Sequence, residues 1–222
     1  MVTNPVHIGP IDAVVFDCDG TLVDSESVWL EVIKPFLTTT SSGEADLEQF
    51  RGITSLEAST LLAAVADKEP NALRSTIDER YSEALRRVVE PIDGAGQFVQ
   101  QLAASVPVGV ASNGRSPDVV SMMRNTGLEP YLSAIFTIDD VHLGKPDPEL
   151  YLAAIAHFGV ARATTLVIED SVPGVTAALR AGCTVIGRGN AVIGIEGLAG
   201  WFDSYSQLSY DPESRNITIS NT

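Results

Sequence analysis

Short runs of Val- and Ile-rich sequence, each breaking off abruptly into polar residues, constrain this chain more than any other feature. Ile11–Phe16, Val106–Ala111, Leu166–Ile168 and Thr184–Gly187 are such runs. They are almost continuously apolar, as strands of a parallel sheet covered on both faces must be. The segments between them read as helices. Ser116-Pro117-Asp118 and Asp147-Pro148-Glu149 each offer a capping residue, a proline for the first turn and an acid near the positive dipole end. Gly127, Gly159 and Gly182 stand where helices would stop in a left-handed cap. Alternating strands and helices predict an α/β fold with right-handed crossovers.

One stretch breaks the alternation. Between Ser25 and Glu90 only helical patterns occur, as in Ser55–Ala66 and Asn71–Val89. Some 65 residues suffice for a unit with its own core. The expected division is therefore a discontinuous α/β core of residues 1–24 and 91–222, with an inserted helical unit over 25–90. Pro91-Ile92-Asp93-Gly94 marks the return to the core. The polar segment Ser209–Thr222 reads as a frayed terminus.

Composition excludes several function classes. The 222 residues carry 14 Lys+Arg against 29 Asp+Glu, a net charge of −15. Nucleic acid and anionic membrane are recognised by basic surface, so neither is an expected partner. No apolar run approaches the ~20 residues of a bilayer span. Met1–Pro10 lacks the basic-then-apolar pattern of a signal peptide. Cys18 and Cys183 are too few for a disulfide framework. A cytoplasmic protein, monomeric or weakly dimeric, is expected.

The chemistry gathers where the runs end. The first stops in Asp17-Cys18-Asp19-Gly20-Thr21, the second in Ser112-Asn113 and the third in Glu169-Asp170, while Lys145 sits in Gly144-Lys145-Pro146-Asp147. Ligands of α/β sheets bind at the carboxyl ends of strands, so four segments deliver polar groups to one edge. Asp17, Asp19, Glu169 and Asp170 crowded together require a cation or protonation. Hard oxygen donors without His or Cys favour Mg²⁺. Lys145 and Ser112 suit phosphoryl oxygens. A carboxylate nucleophile beside a carboxyl acid/base is a workable route for phosphoryl transfer. The residues thus point to phosphomonoester chemistry through an aspartyl-phosphate.

These four segments, in this order, resemble the haloacid dehalogenase-like (HAD) superfamily, in the branch with a small helical cap inserted after the first strand. The resemblance implies a Rossmann-like core with a central parallel sheet flanked by helices, and an all-helical cap. It implies that Asp17 is the nucleophile and Asp19 the acid/base. It assigns Mg²⁺ to Asp17, the Asp19 carbonyl and Asp170, with Glu169 in or just outside the metal's first ligands. Ser112, Asn113 and Lys145 would bind the phosphoryl group. Within the superfamily the chain is similar to β-phosphoglucomutase-like proteins and sugar-phosphate phosphatases, including those acting on 6-phosphogluconate. A small phosphorylated metabolite is the implied substrate. The mutases carry a His at the cap entry where this chain has Trp29, and an Arg after the cap's glycine turn where Gly52-Ile53-Thr54 runs into Ser55. The expectation is a phosphatase, with a mutase as the alternative and a phospho-receiver module as a third.

Plainer readings compete at single positions. Aspartates are common in turns after strands, but a calcium loop is excluded because Gly20 and Val28 stand at positions four and twelve. Lys145 is one of only three lysines, with Lys34 and Lys68. For Ser112 the competing reading is a hydroxyl that caps a strand end. Arg51 and Arg115 are candidates for gripping the rest of the substrate, with exposed helix charges as the competing reading.

Overall fold

The computed structural model describes residues 5–37, 47–50, 53–66, 69–87 and 89–220. The chain divides into two compact units, one of residues 1–23 and 91–222 and one of residues 24–90.

The larger unit is built on a six-stranded parallel sheet. Its strands are β2 (Ala13–Phe16), β3 (Val108–Ala111), β4 (Ala134–Phe136), β5 (Thr165–Glu169), β6 (Thr184–Arg188) and β7 (Gly200–Phe202), in the order β4-β3-β2-β5-β6-β7. Every residue of β2, β3 and β5 is buried, which is why their sequences show no polar alternation. Helices α4 (Ala95–Ala103), α5 (Ser116–Asn125), α6 (Glu149–Phe158) and α7 (Val172–Ala181) accompany the strands. Leu150, Tyr151 and Ala154 of α6 and Val175, Ala178 and Ala181 of α7 pack with Val15, Val167 and Val185 in one apolar cluster. Gly159 and Gly182 end their helices at φ 66° and 82°, the left-handed turn that favours glycine. Ser116 is not a cap. It begins α5 behind Arg115, and its hydroxyl meets Thr137 Oγ1 at 2.6 Å.

The segment 209–220 is not frayed. Leu208–Asp211 and Asn216–Ile219 form β8 and β9, which join β1 (Val6–Ile8) in an antiparallel sheet of order β1-β9-β8. Ile217 and Ile219 are buried while Asn216 and Thr218 are only partly covered. That alternation of period two spans just four residues, so the polar composition around it hid the strand.

The smaller unit contains α1 (Ser25–Leu37), α2 (Ser55–Ala66) and α3 (Pro70–Leu85), with a short 3₁₀ turn at Leu47–Phe50. Trp29, Ile33, Phe50, Leu62, Leu73 and Ile77 form its own apolar cluster. The Trp29 indole donates to the Phe50 carbonyl at 2.7 Å and its ring meets Tyr81 edge-on at 5.3 Å. No helix among the described residues is long and apolar enough to cross a membrane.

Candidate active site

Strand register brings the site together. Phe16 is level with Val110 of β3 and Ile168 of β5. Beyond that level the chains emerge side by side as Asp17, Ala111-Ser112 and Glu169-Asp170. The Asp17 amide still donates to the Ile168 carbonyl at 3.0 Å and Ser112 to Phe136 at 3.0 Å. Both acids remain in the protein, with Asp17 7% and Glu169 0% exposed. The switch point lies here, because β2 pairs with β3 on one side and β5 on the other.

Lys145 enters from the loop before α6, its side chain buried to 3% exposure. Its ammonium contacts Asp17 Oδ1 and donates to Glu169 Oε1 at 2.7 Å. Burial works against its charge, but the Asp17 and Glu169 carboxylates outweigh that and hold its pKa well above the usual lysine value. Two side chains fix this placement. Asn113 accepts from the Lys145 amide at 2.8 Å and donates to the Lys145 carbonyl at 3.1 Å, so its carboxamide acts on the lysine loop. Tyr151, on α6, donates to Glu169 Oε1 at 2.9 Å and sets its ring 5.1 Å from the ammonium, within cation–π range. The sequence reading missed Tyr151. Its signal was weak: a tyrosine six residues past Lys145 on a helix whose facing was unknown.

Glu169 is saturated. Besides Lys145 and Tyr151 on Oε1, its Oε2 accepts from the Asp170 amide at 3.0 Å, the Ser171 amide at 3.0 Å and the Ser171 hydroxyl at 2.9 Å. A side chain at Gly174 would overlap this carboxylate, which explains glycine in the first turn of α7.

Asp17 and Asp170 are less fully compensated. Burial pushes Asp17 well above the usual carboxylate range, opposed by Lys145 and reinforced by Glu169, Asp170 and Asp19. Burial and the neighbouring Glu169 push Asp170 up to about 7. Asp17, Glu169 and Asp170 each place an oxygen within 4.8 Å of the others. All-oxygen donors with one ammonium among several carboxylates fit a divalent cation. Asp17 and Asp170 are the suited ligands, with Glu169 held behind them by its five donors.

Asp19 leaves the turn beside Ser112, whose hydroxyl donates to Asp19 Oδ2 at 3.3 Å and accepts from the Gly114 amide at 2.9 Å. Thr21 Oγ1 donates to Asp170 Oδ1 at 3.2 Å. Gly20 adopts φ 72° directly against the Asp170 carboxylate, where a Cβ would overlap it. The structure thus brings together Asp17, Asp19, Ser112, Asn113, Lys145, Glu169 and Asp170. Arg115 is exposed at the start of α5, where its carbonyl accepts the first helical bonds from Asp118 and Val119. Arg51 lies outside the described residues. Cys18 is fully buried, and burial raises its thiol pKa well above the usual value, as for a cysteine packed in the interior.

Residues 14–188 match the family described as haloacid dehalogenase-like hydrolase. Among curated proteins, the bifunctional riboflavin kinase/FMN phosphatase of Arabidopsis thaliana is 33% identical over 183 residues, 78% of this chain. That match takes in 47% of the plant protein, so this chain spans about half its length. The 6-phosphogluconate phosphatase of Escherichia coli (strain K12) is 30% identical over 188 residues, 79% of this chain and 81% of that protein. A solved structure of a HAD family hydrolase from Deinococcus radiodurans R1, with bound phosphate and sodium, matches at a TM-score of 0.73 and 29% identity. The match covers 89% of this chain and 93% of that one.

Proposed function

The chain belongs to the haloacid dehalogenase-like hydrolases and is a phosphoric monoester hydrolase, and on that premise we propose that it is a Mg²⁺-dependent phosphatase of a small sugar or sugar-acid phosphate, working through an aspartyl-phosphate. The observation that carries this reading is the buried Lys145 ammonium set between Asp17 and Glu169 at the strand edge. A fixed ammonium donor beside a carboxylate is suited to receive a phosphoryl group and offset its developing charge.

The chain's residues then divide the reaction. Asp17 attacks phosphorus while Asp19 gives its proton to the departing ester oxygen. Asp19, now ionised, takes a proton from water as that water attacks the phosphoenzyme, which releases inorganic phosphate and restores Asp17. Ser112 and Lys145 hold phosphoryl oxygens, Asn113 keeps the lysine loop in register, and Glu169 orients the ammonium. Mg²⁺, when bound by Asp17, the Asp19 carbonyl and Asp170, supplies charge neutralisation and orients the phosphate.

Hydrolysis is favoured over mutase chemistry by Trp29. At the place where the resemblance gives mutases a His, this chain has an indole whose N–H is given to Phe50 inside the helical unit, so the residue at that position supplies no acid or base. The net charge of −15 supports a free metabolite as partner, with neither nucleic acid nor anionic membrane. A screen of phosphorylated metabolites for released phosphate, with Mg²⁺ and with chelator, tests the reading. Asp17→Asn is expected to reduce p-nitrophenyl phosphate turnover at least about a thousandfold with unchanged circular dichroism. Undiminished turnover in that variant would sink the aspartyl-phosphate.

A further inference from the structure

We propose that Arg188 and Tyr205 are positioning residues that clamp the Gly20–Thr21 turn and so set the cation-binding edge of the site, an inference that rests on the divalent-cation reading above. The turn is held both by local backbone bonds and by two long-range donors. Its own backbone bonds are Gly20 N to Val23 O at 2.9 Å and the donations of Leu22 and Val23 to the Cys18 carbonyl at 2.9 and 3.1 Å. The carbonyls of Gly20 and Thr21 each meet a donor from far along the chain. The Arg188 guanidinium donates through Nη1 to Gly20 O. The Tyr205 hydroxyl donates to Thr21 O at 2.9 Å, within the buried interior.

The same two residues touch Asp170 on their other side, Gly20 by close approach and Thr21 by its hydroxyl bond at 3.2 Å. A shift of this turn therefore moves the Asp170 carboxylate together with the peptide that follows Asp19. Sub-ångström placement of such groups decides metal affinity, and outer partners of ligands commonly tune it.

Tyr205 is itself locked. Its ring packs against Phe98 at 5.7 Å and Phe202 at 5.2 Å between centroids. Its Cβ would stand 2.9 Å from any Cβ at position 94, where glycine sits at φ 78°. Burial raises the phenol pKa, so the hydroxyl stays a donor. Arg188 is the last residue of the family match and Tyr205 lies beyond it. Tyr205 opens a short 3₁₀ turn, Tyr205–Gln207, that leads into β8, which is paired to β9 and through it to β1. The terminal sheet thus anchors a hydrogen bond to the catalytic turn from outside the segment that defines the family.

Mn²⁺ is the probe, with its binding read by electron paramagnetic resonance on full-length wild type, Tyr205→Phe and Arg188→Gln. Tyr205→Phe keeps the ring packing and removes only the hydroxyl. The Mn²⁺ Kd is expected to rise about three- to tenfold in each variant, the range for one lost buried hydrogen bond. A merely structural role would lower the melting temperature and leave the Mn²⁺ Kd alone. A Kd for Tyr205→Phe within about twofold of wild type overturns the clamp, and this isosteric variant decides the matter if Arg188→Gln does not fold. Wild type that fails to bind Mn²⁺ overturns the cation reading itself, a result distinct from unchanged affinity in the variants.

Discussion

The two units of this chain bury their helices in similar ways, yet among the described residues only one of them concentrates polar chemistry. In the core unit Asp17, Glu169 and Lys145 are buried at a single strand edge. In the helical unit the interior is Trp29, Leu30, Ile33, Phe50, Ala58, Leu62, Leu73 and Ile77, and the buried hydroxyl of Ser59 simply turns back to the Leu56 carbonyl. A parallel sheet ends all its strands at one level, so residues from distant parts of the sequence arrive side by side. Helices packed by a stripe have no such common level, and their polar residues spread around the exposed face. The difference explains why a carboxylate or an ammonium is tolerated inside the core unit: partners converge there to satisfy it.

The comparison breaks most visibly at Lys145. Removing one partner of a buried charge cluster leaves the others uncompensated, so Lys145→Ala is expected to destabilise the core unit by about 3–5 kcal/mol in the absence of metal. Urea unfolding checks the value; a cost near zero would mean the strand-edge charges are already balanced without it. In the helical unit the equivalent insult is a cavity. Ile77→Ala, at a fully buried position, is expected to cost about 2–5 kcal/mol. Native-state hydrogen exchange should show faster exchange in α1–α3 with β2 and β5 unchanged, and acceleration throughout would deny the units separate stability.

A smaller effect sharpens the picture within the core. Tyr151→Phe removes one donor from Glu169 while keeping the ring over Lys145, and a hydrogen bond to a charged group is worth about 1.5–3 kcal/mol. A fall in kcat larger than any rise in KM would mark it as acting through Lys145, whereas unchanged kcat would leave it a packing residue. The smallest effect concerns Glu149, which closes the loop before Lys145 by accepting from the His142 and Leu143 amides at 3.0 and 2.8 Å. Those bonds hold its pKa below the usual 4.5. Its contribution is therefore complete above pH 4.5 and is lost as the pH falls through the lower folded value. The melting temperatures of wild type and Glu149→Ala should differ slightly at pH 6 and converge in acid.

Much of the core was legible because burial leaves a periodic mark. The apolar runs before Asp17, Ser112 and Glu169 coincide with β2, β3 and β5, and Ser55–Ala66 reads as the helix it forms. Strands β4 and β7, three residues each, were too short to register. The β1-β9-β8 sheet was missed for the related reason that its alternation is brief and its composition polar. At the site, residue types and strand ends located the seven groups that converge. Their individual duties were hidden: Asn113 faces the Lys145 backbone, and Glu169 is occupied by five donors.

By itself, then, the sequence determined the α/β alternation, the helical insertion and the four polar segments, because each is written in local patterns of burial and chain reversal. Tertiary structure alone decided which donors meet which carboxylates. Tyr151 reaches Glu169 across 18 residues, Lys145 reaches Asp17 across 128, and Tyr205 reaches the Thr21 carbonyl across 184. Such pairings depend on packing angles and register among several elements at once, and no local periodicity records them.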